Sequence, residues 1–271
     1  MDSSRRADGC LIDLDGTVIL DDKAIPGAVE TIAALRREGI PFRFATNITR
    51  VSRTVLAQRL TAQGIPVHRD EILSAPSVAA RWLENRGSCR VQLLLQRTTL
   101  EEFEGFEITE DSPEHVLVGD LGQEWSFGAL NRAFQNLLDG ADLVAVHRNP
   151  YWWVEGKPML DAGAFVASLE LASGKTATLI GKPSAGFFEV AAQELGLSPD
   201  RIAMVGDDPE ADVFGSKAAG MKPVALRTGK YRPAHEERLQ EAAAVVLDSI
   251  AGLPGWLGIE PLGAPASLPA F

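Results

Sequence analysis

The chain has 271 residues, 45% of them hydrophobic and 23% charged, ordinary values for a globular protein whose core needs neither disulfides nor a structural metal. A formal net charge of −11 sets the surface against nucleic acid and anionic membrane, so an anionic ligand must be captured by a local positive site. Cys10 and Cys89 lie far apart and read as reduced core residues, while the polar N-terminus and the lack of a long apolar run read as a soluble cytoplasmic protein.

Residues 9–17, Gly-Cys-Leu-Ile-Asp-Leu-Asp-Gly-Thr, form the first predicted element. The apolar run Cys10, Leu11, Ile12, bounded by a turn at Gly16-Thr17, reads as a buried strand. Asp13 and Asp15, two apart on an extended chain, project to one side. Such crowding raises one pKa or holds both carboxylates ionised around a cation. Either outcome suits chemistry: a nucleophilic carboxylate beside a metal, and a second acid that carries a proton. The bland alternative is an ordinary cluster of turn residues at a strand end.

A flap or hairpin is predicted over 18–27, then a helix over 28–38 stopped by Gly39. A strand over 40–45 ends in Thr46-Asn47. A helix over 52–63, capped by Ser52, stops at Gly64, and another begins at Pro76. The texture then changes: strands at 90–96, 115–119, 143–147 and 151–155 mix with helices at 100–103, 129–138 and 162–173. After a strand over 176–180 and the sequence Gly181-Lys182-Pro183, the earlier pattern resumes. It has a helix at 185–195, a strand at 202–205 followed by Gly206-Asp207-Asp208, a helix at 211–219, and strands at 222–226 and 244–247. Strands alternating with helices imply a doubly wound parallel sheet. The expected organisation is an α/β Rossmann-like core over 1–75 and 178–258, an inserted α/β domain over 76–177, and a flexible tail over 259–271.

In open α/β sheets, ligands bind at the carboxyl ends of strands. Asp13 and Asp15 end one strand, Thr46 and Asn47 a second, and Asp207 and Asp208, with Asp212 beyond, a third. Lys182 opens the element that re-enters after the insert. Taken singly, Thr46-Asn47 is a loop, Lys182 a solvated lysine and Asp208 a helix cap. Their order along the chain is what turns them into a constellation.

That constellation resembles the haloacid dehalogenase superfamily. Asp13-Leu14-Asp15-Gly16-Thr17 looks like its first motif, Thr46 its second, Lys182 its third, and the acidic run from Asp207 to Asp212 its fourth. An insert between the second and third motifs is a C2-type cap in that family, and Gly181-Lys182-Pro183 with Val205-Gly206-Asp207-Asp208 is similar to its NagD-like subgroup. The resemblance implies a Mg²⁺-dependent phosphatase in which Asp13 attacks phosphorus and Asp15 serves as acid, then base. It implies that Mg²⁺ is held by the Asp13 carboxylate, the Asp15 carbonyl and Asp207, with Asp208 or Asp212 acting through water or behind the ligands. Thr46 and the Asn47 backbone would hold phosphoryl oxygens, and Lys182 would neutralise charge in the transition state. A closing cap implies a small phosphorylated substrate; relatives make a homodimer plausible.

Two rivals remain. A carbon–halogen hydrolase shares the nucleophile but would not be expected to keep Asp15 and Asp207. A catalytically idle binding or regulatory protein would keep the fold without turnover. In the insert, His147 to Trp153 reads either as a specificity segment, through Asn149, Tyr151 or a tryptophan, or as a cap strand whose aromatics pack. Residues 120–127 form a second candidate specificity loop. None of the four histidines matches a family motif.

Overall fold

The computed structural model describes residues 6–154, 157–242 and 244–260; of residues 152–154 only the backbone is described. The predicted tail from 261 onward lies outside the described residues, as do the side chains of Trp152 and Trp153. The first elements are β1 (Gly9–Asp13), β2 (Ile19–Leu20), β3 (Lys23–Ala24), α1 (Ala28–Arg37), β4 (Phe42–Thr46), α2 (Arg53–Ala62), β5 (Ile72–Ser74) and α3 (Ala75–Glu84). Next come β6 (Arg90–Leu94), β7 (Glu107–Ile108), β8 (His115–Val118), α4 (Phe127–Leu138), β9 (Asp142–Ala145), β10 (Tyr151–Val154), β11 (Lys157–Leu160) and α5 (Ala162–Ser173). The chain continues through β12 (Thr178–Leu179), α6 (Ala185–Leu195), β13 (Ile202–Gly206), α7 (Gly215–Ala218), β14 (Lys222–Leu226), α8 (Glu236–Glu241), β15 (Val245–Leu247) and α9 (Leu253–Leu257).

Two compact units emerge. Among the described residues, the first comprises those up to Thr46, Leu56–Ile72 and those from Ala191 onward; the second comprises those of Asn47–Val55 and Leu73–Val190. The first sheet runs in the order β15-β14-β13-β1-β4-β5, with β1 parallel to both β13 and β4. From β1 the chain winds one way through β4 and the other way through β13, β14 and β15, so β1 sits at the switch point where such sheets form their ligand crevice. All five residues of β1 are buried, as expected of a parallel strand covered on both faces. Leu11 and Ile12 are fully buried, each contributing about 1.5–3 kcal/mol, which helps offset burial of the acid that ends the strand.

Local chemistry sets the ends of these elements. At the close of α1, Gly39 takes a left-handed φ of 62°. Its N–H donates to the Arg36 carbonyl and the Ile40 N–H to the Leu35 carbonyl, the paired closure that glycine permits after a helix. Ile40 is thereby used in the helix stop, and β4 starts at Phe42, later than the predicted 40. Within the predicted 18–27 flap lies a β2–β3 hairpin whose turn residues, Asp21 and Asp22, both have positive φ, the conformation of a type I′ turn. Ser74 caps α3 in a capping box with Ser77, and Pro76 sits in the first turn, where its missing N–H costs nothing.

The second unit holds a five-stranded sheet in the order β12-β9-β8-β6-β7, parallel throughout. Its core joins Val116, Val118, Leu143 and Ala145 of the sheet with Ala133 and Leu137 of α4 and Val166 and Leu169 of α5. This sheet brings a correction. The strand predicted over 176–180 to resume the first sheet is two residues long and pairs with β9 in the second. Two-residue strands carry no periodicity, so only tertiary pairing reveals their sheet.

Other differences are local. The antiparallel partner of β10, β11, was not anticipated, because Lys157-Pro158-Met159-Leu160 is short, contains a proline and shows no alternation of apolar and polar residues. Cys89 is exposed rather than a core residue; Cys10 is buried, and both are free thiols. The helix predicted over 211–219 begins earlier, as a wide π turn over Pro209–Phe214 leading into α7. No helix among the described residues is long and apolar enough to cross a membrane.

Candidate active site

The parallel register brings three strand ends level in the first unit. Asp13 at the end of β1 stands opposite Ala45 of β4, so Thr46 follows at the same edge. On the other side Ile12 pairs with Val205, and Asp207 leaves β13 directly after Gly206. Asp13, Thr46 and Asp207 are all buried, at 8%, 2% and 3% exposure. Asp15 differs: β1 has ended, Leu14 turns inward, and Asp15 is exposed in a single bridge to Ile19. The two acids of the first motif therefore occupy unlike environments.

Asp212 completes the cluster. Carboxylate oxygens of Asp13, Asp207 and Asp212 lie within 4.8 Å of one another, and all three residues are buried. The π turn achieves this. Asp208 caps it by accepting the N–H groups of Glu210 and Ala211, each at 3.0 Å, and the wide turn swings Asp212 back so that its carboxylate accepts the Asp208 N–H at 3.2 Å. A Cβ on Gly206 would collide with the Asp212 carboxylate.

Asp207 is enclosed just as closely. It accepts the Lys230 N–H at 2.6 Å and faces the Thr17 hydroxyl at 3.5 Å. Gly16 and Gly229, both at positive φ, approach so near that a Cβ on either would overlap its carboxylate. The Thr228 hydroxyl ties the two loops by donating to the Gly16 carbonyl at 2.5 Å.

Burial pushes the Asp207 carboxyl up; the Lys230 N–H opposes this and the neighbouring Asp212 charge adds to it. Desolvation works to lower the Lys230 ammonium, but its 2.8 Å hydrogen bond to Asp208 and the charges of Asp208, Asp13 and Asp207 hold it raised. Burial works to raise the Asp208 carboxyl, and the Lys230 hydrogen bond with the N–H groups it caps holds it lowered instead. Three buried carboxylates at this range, with the Lys230 ammonium nearby, make a hard, all-oxygen donor set of the kind that suits Mg²⁺.

Asn47 and Lys182 belong to the second unit. Lys182 is 4% exposed, and the Asn47 side chain bonds its backbone. Of the insert candidates, Tyr151 is 53% exposed. His147 is buried, with Nε2 at 3.6 Å from Asp161 and Nδ1 accepting the Asn149 N–H at 3.3 Å. In the 120–127 loop, Asp120 is buried, accepts the Gly122 N–H at 2.7 Å and pairs with Arg50, while Trp125 stacks on Phe165 with centroids 3.8 Å apart. The sequence reading missed Lys230. A signal was available: Thr228-Gly229-Lys230 lies one residue beyond β14, whose end lies at the same edge.

The family described as haloacid dehalogenase-like hydrolase matches residues 10–109, and a second description, HAD-hydrolase-like, matches 179–253. The haloacid dehalogenase-like hydrolase domain-containing protein 2 of Bos taurus is 36% identical, over 92% of this chain and 95% of that protein. The chain belongs to the haloacid dehalogenase-like hydrolases. Within that family, the human phospholysine phosphohistidine inorganic pyrophosphate phosphatase is 33% identical over 90% of this chain and 91% of its own length. The solved structure of NagD from E. coli shares the fold with a TM-score of 0.82 at 22% identity, covering 90% of this chain and 97% of that one. The fold class is thus that of the NagD-like hydrolases: a doubly wound parallel core with an inserted α/β cap.

Proposed function

We propose that this hydrolase is a Mg²⁺-dependent phosphatase of a small phosphorylated metabolite, working through an aspartyl-phosphate on Asp13. The observation that carries the reading is the buried Asp13–Asp207–Asp212 cluster at the end of the central strand, in a chain 33% identical to a protein named a phosphatase. Mg²⁺ held by Asp13, Asp207 and the Asp15 carbonyl, with Asp212 beside them, would supply positive charge against phosphoryl oxygens.

An Asp13 carboxylate oxygen attacks phosphorus, and the bond from phosphorus to the leaving oxygen breaks. Asp15 gives its proton to that oxygen. Asp15 then takes a proton from water, the water oxygen attacks phosphorus, and the bond to Asp13 breaks, returning the carboxylate and releasing inorganic phosphate. Exposure of Asp15 suits a group that exchanges protons with incoming and outgoing molecules, whereas burial of Asp13 suits a fixed nucleophile. Thr46 and the Asn47 backbone hold phosphoryl oxygens, and Lys182 offsets their charge. Phosphorus–nitrogen and phosphoanhydride bonds, named for the human relative, join phosphate esters as candidate substrates.

The test is hydrolysis of p-nitrophenyl phosphate with and without Mg²⁺, for the wild type and Asp13→Asn. Metal-dependent turnover that Asp13→Asn abolishes, with the unfolding transition retained, is expected. Undiminished hydrolysis by Asp13→Asn would remove the proposed nucleophile, and a wild type without turnover would favour a binding protein.

A further inference from the structure

The Asn47 side chain grips one residue from both sides. Its Nδ2 donates to the Lys182 carbonyl at 2.8 Å, and its Oδ1 accepts the Lys182 N–H at 2.9 Å. A side-chain amide matched to both backbone groups of a single residue acts as a short piece of sheet ladder, and fixes the orientation of that residue's Cα–Cβ bond. The turn is anchored on either side as well. The Gly181 N–H donates to the Val146 carbonyl at 2.9 Å, and the Ser184 N–H to the Gly181 carbonyl at 3.0 Å. Gly181 has no room for a side chain, since a Cβ would strike the Val146 carbonyl and stand 2.9 Å from Asn47 Oδ1. Lys182 is thus buried on a root that cannot turn. A lysine ammonium rides on a flexible four-carbon stem, so a fixed root is what limits where its charge can go.

We propose that the Asn47 side chain is a positioning residue for the reaction, setting the Lys182 backbone and through it the ammonium that meets the transferred phosphoryl group. This rests on the phosphatase reading above, which gave Asn47 only a backbone role. The bland alternative is a structural staple whose loss weakens the fold without touching the lysine's task.

A double-mutant cycle on the full chain separates them, with p-nitrophenyl phosphate and Mg²⁺, well below each variant's Tm. Asn47→Asp keeps size and acceptor but sets an oxygen against the Lys182 carbonyl. It is expected to lower kcat by about 10²-fold, the scale of an ångström of misplacement, with a much smaller change in KM. In a Lys182→Ala background the same substitution should lower kcat by less than about threefold, because no ammonium remains to misplace. Asn47→Ala, which removes both bonds without adding a repulsive oxygen, should show the same dependence on background. Equal losses in both backgrounds, or an unchanged kcat in the Asn47 single variants, would overturn the proposal while leaving the phosphatase reading intact. A wild type without turnover would end both.

Discussion

Gly229 and Gly39 both adopt left-handed backbone, with φ of 49° and 62°, yet replacing each by alanine should have different consequences. Among the described residues, nothing lies within 4 Å of the point where a Cβ on Gly39 would sit. Gly39→Ala should therefore cost only the left-handed strain of an L-residue, about 1 kcal/mol, partly offset by a stiffer unfolded chain. A Cβ on Gly229 would overlap the Asp207 carboxylate and stand 2.8 Å from the Gly16 Cα. Neither neighbour yields cheaply: one is backbone, and the other is held by the Lys230 N–H at 2.6 Å. Relief requires breaking that bond to a charged group, which adds about 1.5–3 kcal/mol. Gly229→Ala should thus destabilise by about 2–4 kcal/mol in urea unfolding. It should also raise the Mg²⁺ concentration needed for half-maximal turnover of p-nitrophenyl phosphate, while Gly39→Ala leaves that value unchanged. Matching values for the two variants in both measurements would refute a role for the Gly229 approach in holding Asp207.

Two further outcomes concern pH. Burial alone would raise the Glu71 carboxyl, but the Arg36 guanidinium, bonded to both its oxygens at 2.8 and 2.9 Å, and the His68 N–H hold it lowered. A lowered acid stabilises above its unfolded value, and that contribution is lost as pH falls through the folded value. The stability deficit of Glu71→Gln at neutral pH should therefore shrink below pH 4.5, the ordinary value; a deficit constant from pH 7 to 3 would contradict the ion pair. His147 titrates in the other direction. Burial lowers its pKa from the ordinary 6.5, against the raising effects of Asp161 and Asp120 and with a small contribution from Arg50. A base favoured neutral in the fold stabilises above 6.5, and that contribution is lost as pH falls towards the folded value. Urea midpoints should decline through that range in the wild type and flatten in His147→Gln; parallel profiles would rule out His147 as the source.

Where strands are long and buried, the sequence was informative. Gly9–Asp13 and Ile202–Gly206 read correctly because parallel strands covered on both faces show unbroken apolar runs. The acids at their ends stood out because charge directly after a buried apolar run is costly unless it is paired or put to use. Asp212 was visible but not placeable: it lies five residues past Asp207, and only a π turn, which leaves no sequence period, brings its carboxylate to Asp13. Lys230 carried a weaker signal, its place just beyond β14, but one lysine in a loop looks like any other until the chain folds. Helix α9 was missed because Leu253-Pro254-Gly255-Trp256-Leu257 carries two residues that normally end helices. The difference between Asp13 and Asp15 came from burial, which alternation alone could not show.

The enclosure of Asp207 has a consequence for how the molecule is made. Thr17 and the carboxylate it faces are 190 residues apart along the chain, and the loop that closes over that carboxylate comes later still. At about 5–20 residues per second of synthesis, about 10–40 s pass between emergence of the nucleophile and arrival of its acidic partner. A nascent or truncated chain lacking residues 207–230 would carry Asp13 without the groups proposed to arm it. Catalytic competence would then report synthesis at least as far as Lys230, because the cluster joins segments far apart along the chain.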